Sequence, residues 1–235
     1  YTTLFRSTLK MAIIFLMEQI RTPFSLIWTI MSPTVLFFFL HFNEIELHYG
    51  DTAWLGKQIS WFVGYISFSV VLFNYCLYLV GRRESGFIAT FVHNMDGRLL
   101  FIRSQLIASL IMSILYVFFF ILVVLTGFQA SPDYQIVMII LKSIYINAFM
   151  MVSLTFMASF RVTFQTASTI YSVLITVCMV SGIVSLKYNE GIVYWINQVN
   201  PIAIYSTILQ SDQELSLMTI FFYSIMLIIS IISAL

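Results

Sequence analysis

The chain has 235 residues, with 11 Lys and Arg against 10 Asp and Glu, for a net charge of +1. Sixty per cent of the residues are hydrophobic and 9% are charged, with a mean hydropathy of +0.97. A soluble domain carries about 25% charged residues, so a solvated globule is excluded and an integral membrane protein is indicated; charges this sparse also exclude a nucleic-acid surface.

The chain opens on Thr3–Arg21, whose apolar part is too short to cross a bilayer. Arg6 and Lys10 lie one helical turn apart, with Phe15 and several aliphatic residues elsewhere around the helix. An interfacial helix over residues 1–22 fits this pattern. The run Met11–Met17, bounded by Lys10 and Glu18, has no small-residue cleavage pattern behind it and does not read as a secretory signal.

A membrane span needs about 20 mostly apolar residues. Six segments meet that length, at about 24–42, 59–80, 105–126, 136–160, 163–186 and 217–235. No soluble domain fits between them, so residues 1–235 read as one transmembrane domain of six helices. With the N-terminus inside, eight basic residues (Arg6, Lys10, Arg21, Arg82, Arg83, Arg98, Arg103, Arg161) face the cytoplasm against two, Lys57 and Lys187, outside. The positive-inside rule therefore predicts both termini cytoplasmic. Lys142 falls inside the fourth span, near enough its end to snorkel.

Two connections carry more than a turn. The inner one, Gly81–Arg103, holds four basic residues and the run Phe87-Ile88-Ala89-Thr90-Phe91-Val92. Helical spacing gathers Phe87, Ile88, Phe91 and Val92 on one face, and Gly86 and Gly97 bracket the run. Four apolar residues at a water-facing position need burial against this chain or a partner. The outer one, Lys187–Ser216, contains Tyr188, Tyr194, Trp195, Asn200-Pro201 and Tyr205 among polar residues. Its two apolar pieces are each too short to span, which predicts a re-entrant or surface-lying helical pair.

Catalytic signatures are absent from the sequence. Gly56-Lys57 is followed by Gln58 and lacks the earlier glycine of a phosphate-binding loop, so this chain is not its own ATPase. His41, Glu44, Glu46 and His48 match no standard metal-ligand spacing. His93 has only Asp96 as an acidic neighbour. Cys76 and Cys178 each lie within an apolar run and read as small hydrophobes. Polar residues within the first, second and fifth spans do need a place. Most Ser and Thr serve as helix–helix contacts, but the Asn74 amide wants partners. Ser25, Trp28, Thr29, Ser32, Asn74, Tyr75, Tyr78, Thr169, Ser172 and Thr176 are the candidate lining of a lightly polar, aromatic-edged passage between those spans. Pro33 is expected to kink the first.

Taken together, the parts resemble the membrane subunit of an ABC-2-type exporter. The likeness rests on Arg21-Thr22-Pro23-Phe24 before a span containing Pro33, on Arg83-Glu84-Ser85-Gly86-Phe87-Ile88, on Gly97-Arg98-Leu99-Leu100, and on Asn200-Pro201-Ile202-Ala203. It covers essentially the whole chain. Gly81 and Arg82 stand where the family often has an acid, and His93-Asn94 where a proline is usual. The resemblance implies a permease in a bacterial plasma membrane that moves an amphipathic, lipid-like, peptide or polysaccharide cargo outward. It implies no cofactor in this chain, with ATP and Mg on a separate ATPase subunit. It also implies a second permease copy, taken as a homodimer, and a coupling helix docked on the ATPase. Phe87, Ile88, Phe91 and Val92 would supply the docking contacts, with Arg82, Arg83, Glu84 and Gly86 beside them; Trp195, Asn200 and Pro201 would mark the outer re-entrant pair. An immunity-type exporter of a self-made peptide shares this architecture, and an ATP-independent carrier or scaffold is the alternative class.

Overall fold

The computed structural model describes residues 2–21, 23–87, 95–185 and 190–210, with the single positions Ser224 and Ile228. Every element among them is helical: α1 (Thr2–Ile20), α2 (Pro23–Leu40), α3 (Thr52–Ser69), a π-helical turn (Val70–Leu77), α4 (Tyr78–Glu84), α5 (Met95–Gly127), α6 (Tyr134–Leu154), α7 (Phe164–Ser185), α8 (Gly191–Val199) and α9 (Pro201–Gln210). Four helical runs are long and apolar enough to cross a membrane: Thr52–Glu84, Asp96–Gly127, Tyr134–Ser159 and Phe164–Val184. The chain is a multi-pass helical membrane protein. The first expected span is helical as α2, of which Thr29–Leu40 is a shorter apolar stretch. The last, Leu217–Leu235, lies outside the described residues apart from Ser224 and Ile228.

Two spans extend well beyond their apolar limits. The second, expected over Ile59–Val80, runs from Thr52 to Glu84. The Asp51 carboxylate caps its start by accepting from the Trp54 N–H at 3.0 Å. Gly86, at φ +74°, ends it in the left-handed conformation that glycine adopts without strain. Its 33 residues make a rod about 50 Å long, against about 30 Å of hydrocarbon. The third span begins at Met95 rather than Gln105. Apolar length marks only the lipid-embedded part of a helix, and exposed Arg98 and Arg103 ride on its extension.

Helix α1 packs along the first turns of α5. Thr8, Ala12, Phe15 and Gln19, spaced to share one helix face, are its buried residues. Phe15 meets Phe101 and Tyr78 at ring distances of 5.5 and 5.7 Å, and Ser104 Oγ donates to the Thr8 carbonyl at 3.1 Å. Leu9, Ile13, Met17 and Ile20 are exposed on another side, with Arg6, Lys10 and Arg21 also exposed. An apolar face beside a charged one is the pattern of a helix lying in the interface.

The core runs down the second span, where Leu55, Ile59, Val63, Ile66, Val70 and Val71 are all fully buried. Exposed apolar side chains such as Phe118, Val173 and Val177 cover the outside. In water such a surface would aggregate, whereas lipid solvates it. Charges separate to the two ends of the bundle. One end gathers Asp51 and Asp133, linked through Thr52 Oγ1, which donates to Asp133 Oδ2 at 3.4 Å. The other gathers Glu18, Arg82 and Arg83.

At the acidic end, His48 stacks on Trp54 at 4.2 Å and approaches Asp51 at 3.2 Å. The Trp54 N–H, with the His48 ring, holds the Asp51 carboxyl below the usual carboxylate range. A depressed pKa favours the folded form above the ordinary carboxylate value, and that contribution is lost as pH falls through the folded one. Protection of the Trp54 amide from hydrogen exchange should therefore fall below about pH 4 in the parent and be pH-insensitive in Asp51→Asn. The same acid-side fall in the variant would remove Asp51 as the cap.

Candidate functional site

Three features of the described residues bear on function, and the first is a cavity of about 640 Å³ between α2, the second span and α7. Thr29, Ser32 and Pro33 face it from α2; Tyr65, Ser69, Phe73, Asn74 and Leu77 from the second span; Ser168, Ser172, Ile175 and Thr176 from α7. The three α7 hydroxyl residues are four apart in sequence, which puts them on one stripe. Ser172 and Thr176 donate their protons to carbonyls of their own helix, Ser168 and Ser172, both at 2.8 Å. Their oxygen lone pairs then remain as acceptors on the wall. Pro33 sits inside α2 and has no N–H for the carbonyl of Thr29.

Of the ten residues expected to line a passage, Thr29, Ser32, Asn74, Ser172 and Thr176 meet here. Three lie elsewhere. Tyr75 is fully buried and its hydroxyl pairs with Thr155 Oγ1 at 2.9 Å, toward α6. Tyr78 contacts Glu18 and Arg82, and Thr169 is exposed beside the Ser172 stripe. The side chains of Ser25 and Trp28 are outside the described residues. Tyr65, Ser69 and Ser168 join them in the lining, Ser168 four residues before Ser172, and Tyr65 and Ser69 leading at the same spacing to Phe73.

The second feature is the π-helical turn that floors this cavity. Its wider hydrogen-bond ladder interrupts the α pattern where Asn74 falls, and such turns concentrate at functional positions. The Asn74 backbone carbonyl accepts from Gln105 Nε2 at 2.7 Å and Ser109 Oγ at 3.0 Å, both on α5. Gln19 Nε2 of α1 approaches the same oxygen at 3.5 Å. Asn74 Nδ2 donates to the Tyr116 hydroxyl at 3.4 Å. The amide that the sequence left in need of partners thus ties the second span to the third.

The third feature lies one turn below, where Arg82, Arg83 and Glu84 fasten the end of the second span on two sides. The Arg82 guanidinium pairs with the Glu18 carboxylate of α1 and donates to the Tyr78 hydroxyl at 2.6 Å. It lies over the rings of Phe15, Tyr78 and Phe87 at 5.7, 4.9 and 5.0 Å, an arrangement that guanidinium groups favour. Arg83 reaches the α6–α7 connection, donating to the carbonyls of Ala158 and Val162 at 2.7 Å each and to that of Phe160. Glu84 accepts from the Phe164 N–H at the start of α7, where a carboxylate also answers the helix dipole. These three residues, expected to anchor a partner, are engaged within the chain. Phe87 packs near Phe101 at 5.8 Å. Ile88, Phe91 and Val92, the rest of the expected docking face, lie outside the described residues.

At the opposite end, α8 and α9 form a broken pair hinged on Asn200-Pro201. Buried Asn200 accepts from the Ile202 N–H at 3.0 Å, capping α9, and donates to the Cys178 carbonyl and Ser181 Oγ of α7 at 2.8 and 3.0 Å. Helix α9 runs antiparallel to α3: Ile202 and Tyr205 lie against Gly64, and Gln210 Nε2 donates to the Lys57 carbonyl at 3.2 Å. Its depth is fixed by a cluster the sequence reading missed. Asn147 of α6 donates to Ser67 and Ser113 at 3.1 and 2.6 Å and accepts from the Tyr205 hydroxyl at 2.8 Å. All four elements are buried there. Trp195 on α8 is exposed.

No family model matches the chain.

Proposed function

We propose that this chain is the permease subunit of an exporter driven by a separate ATPase chain, working in a bacterial plasma membrane as a pair of copies. In this reading the topology has six spans and both termini in the cytoplasm, with the Arg82–Arg83 end facing inward. The observation that carries it is the clamp at the end of the second span. A push on the segment that follows Phe87 would reach α1 through Arg82–Glu18 and α7 through Arg83 and Glu84. Helix α7 and the second span itself line the 640 Å³ cavity, so one displacement at the basic end would change the shape of the passage. ATP binding on the partner would supply the displacement, and the second span would act as the two-state element it biases. The wall suits an amphipathic cargo: Phe73, Leu77 and Ile175 offer apolar contact, while Ser172 and Thr176 accept hydrogen bonds from a donor on the cargo.

The test is co-purification in mild detergent followed by reconstitution. A tagged chain should bring down an ATPase subunit whose ATP hydrolysis is stimulated when the two share a vesicle. Phe87→Asp and Phe91→Asp should each reduce that stimulation at least tenfold while leaving membrane insertion intact. Failure to recover any ATPase would end the exporter reading, and full stimulation in both variants would end the docking assignment.

A further inference from the structure

A second cavity, of about 650 Å³, lies between the second span, α6, α7 and the broken α8–α9 pair. Met150 and Leu154 of α6, Leu174 and Val177 of α7, and Trp195 of α8 give its character. The Asn200 amide and the Ser181 hydroxyl that reach it are engaged within the protein. Asn200 spends its Nδ2 on Cys178 and Ser181 and its Oδ1 on Ile202, and Ser181 Oγ donates to the Cys178 carbonyl at 3.1 Å. The surface a ligand meets here is almost wholly apolar. At the lip, Val177 is 57% and Trp195 61% exposed, so the cavity opens sideways, at the depth of the apolar spans.

That opening decides the occupant. A dry apolar cavity in a soluble protein stays empty because its neighbour is water. A cleft of the same lining that opens into a bilayer has alkyl chains at its mouth, and leaving it empty forfeits dispersion contacts on every wall. The lining spans eight residues on each side, Met150–Met157 and Leu174–Ser181, or about 10 Å along the helix axes. That extent follows the helix axes, the direction in which lipid tails also run, and the volume lies in the range of small-molecule sites. Met150 and Met157 give walls that adapt to a flexible chain. A water-soluble polar ligand finds almost no polar surface to bind here.

We propose that this cleft holds one hydrocarbon chain of a membrane lipid, wedged between α6 and α7 beneath the Asn200 hinge. Bound there, the chain supports α8 and the hinge from below, so the position of the broken pair depends on lipid. The site is separate from the polar cavity between α2 and α7 and stands whether or not an ATPase drives the protein.

The experiment uses the full chain in vesicles of phosphatidylcholine with brominated acyl chains, which quench tryptophan on contact. In a variant carrying Trp28→Phe, Trp54→Phe and Trp61→Phe, Trp195 is the reporter. Its quenching should saturate at a brominated fraction several-fold below that expected for random lipid contact. Val177→Phe, at the exposed lip where the added ring fills the slot without displacing core residues, should return the curve to the random one. Native mass spectrometry of the otherwise unaltered chain serves as the second measurement: one phosphatidylcholine should survive detergent exchange in the parent and be lost in Val177→Phe. Quenching that follows bulk composition, or equal lipid retention by parent and Val177→Phe, would overturn the assignment.

Discussion

Gly64→Ala is expected to destabilise the protein by about 1–3 kcal/mol, the cost of overpacking a close contact, while Gly56→Ala two turns earlier on α3 is expected to be neutral or slightly stabilising. The two glycines share a helix and a substitution, so intrinsic helix propensity, about 1 kcal/mol in favour of alanine, acts equally on both. What differs is the neighbour. A Cβ on Gly64 would stand 2.9 Å from Tyr205 Cβ and 3.0 Å from the Ile202 carbonyl oxygen, both on or beside the α9 backbone. A Cβ on Gly56 meets only Gln135 Oε1 at 3.6 Å and Ile139 Cδ1 at 3.8 Å, ordinary contacts. Moving α9 outward to admit the methyl group also stretches the Tyr205–Asn147 hydrogen bond, of the kind that contributes about 0.6–1.7 kcal/mol in membrane bundles. Thermal unfolding in detergent should show a clear loss for Gly64→Ala alone. Tyr205→Phe should cost less in the Gly64→Ala background than in the parent, because neighbouring changes that act on one contact are not additive. Equal midpoints for the two alanine variants would show that α9 is not seated on Gly64.

Arg83→Ala should release the α6–α7 connection. Its guanidinium serves three carbonyls of Ala158, Phe160 and Val162. Bonds to a charged donor are worth about 1.5–3 kcal/mol each when buried, but this connection is partly exposed, so a total of roughly 2–3 kcal/mol is the reasonable expectation after screening. Arg161 is exposed between two of those carbonyls and provides the readout. Tryptic cleavage after Arg161 requires local opening, and each 1.4 kcal/mol of lost protection raises the open population about tenfold. Cleavage should accelerate by about tenfold or more in Arg83→Ala. It should accelerate less in Arg83→Lys, which keeps the charge but not the planar fork. An unchanged rate would mean that the clamp carries no load.

Most of the architecture was legible because a membrane imposes simple demands. Length of apolar run located the long spans, and Asn200-Pro201 marked the break between α8 and α9. Half of the expected passage residues met in one cavity because Ser and Thr recurring four apart in α7 leave a stripe that any helix reading can see. Other features left no signal in the sequence, for identifiable reasons. Asn147 looks like one more polar residue in an apolar run, and its meaning depends on Ser67, Ser113 and Tyr205, distant in sequence and unrelated by any local period. The π-helical turn leaves no periodic trace either, since Val70–Leu77 reads as continuous apolar chain. Tyr75 was misplaced by the same turn, which carries it toward Thr155 while Asn74 beside it reaches the cavity. The internal bonds of Arg82, Arg83 and Glu84 left no sequence signal because the groups they meet, Glu18, the carbonyls of the α6–α7 connection and the Phe164 N–H, come from separate parts of the chain.

That internal use of charge has a further consequence for how the molecule sits. With Arg82 and Arg83 engaged inside the bundle, Arg6, Lys10, Arg21, Arg98, Arg103 and Arg161 remain exposed at or near the same end. Six exposed cations on α1, the start of α5 and the α6–α7 connection make a basic collar, and each basic group near an anionic leaflet is attracted by about 1 kcal/mol. The collar acts as a float line. Beside an anionic leaflet it would set the vertical register of the helices by the charge of the surrounding lipid, and the two arginines that tie α1 and the α6–α7 connection to the second span are not among those that moor it.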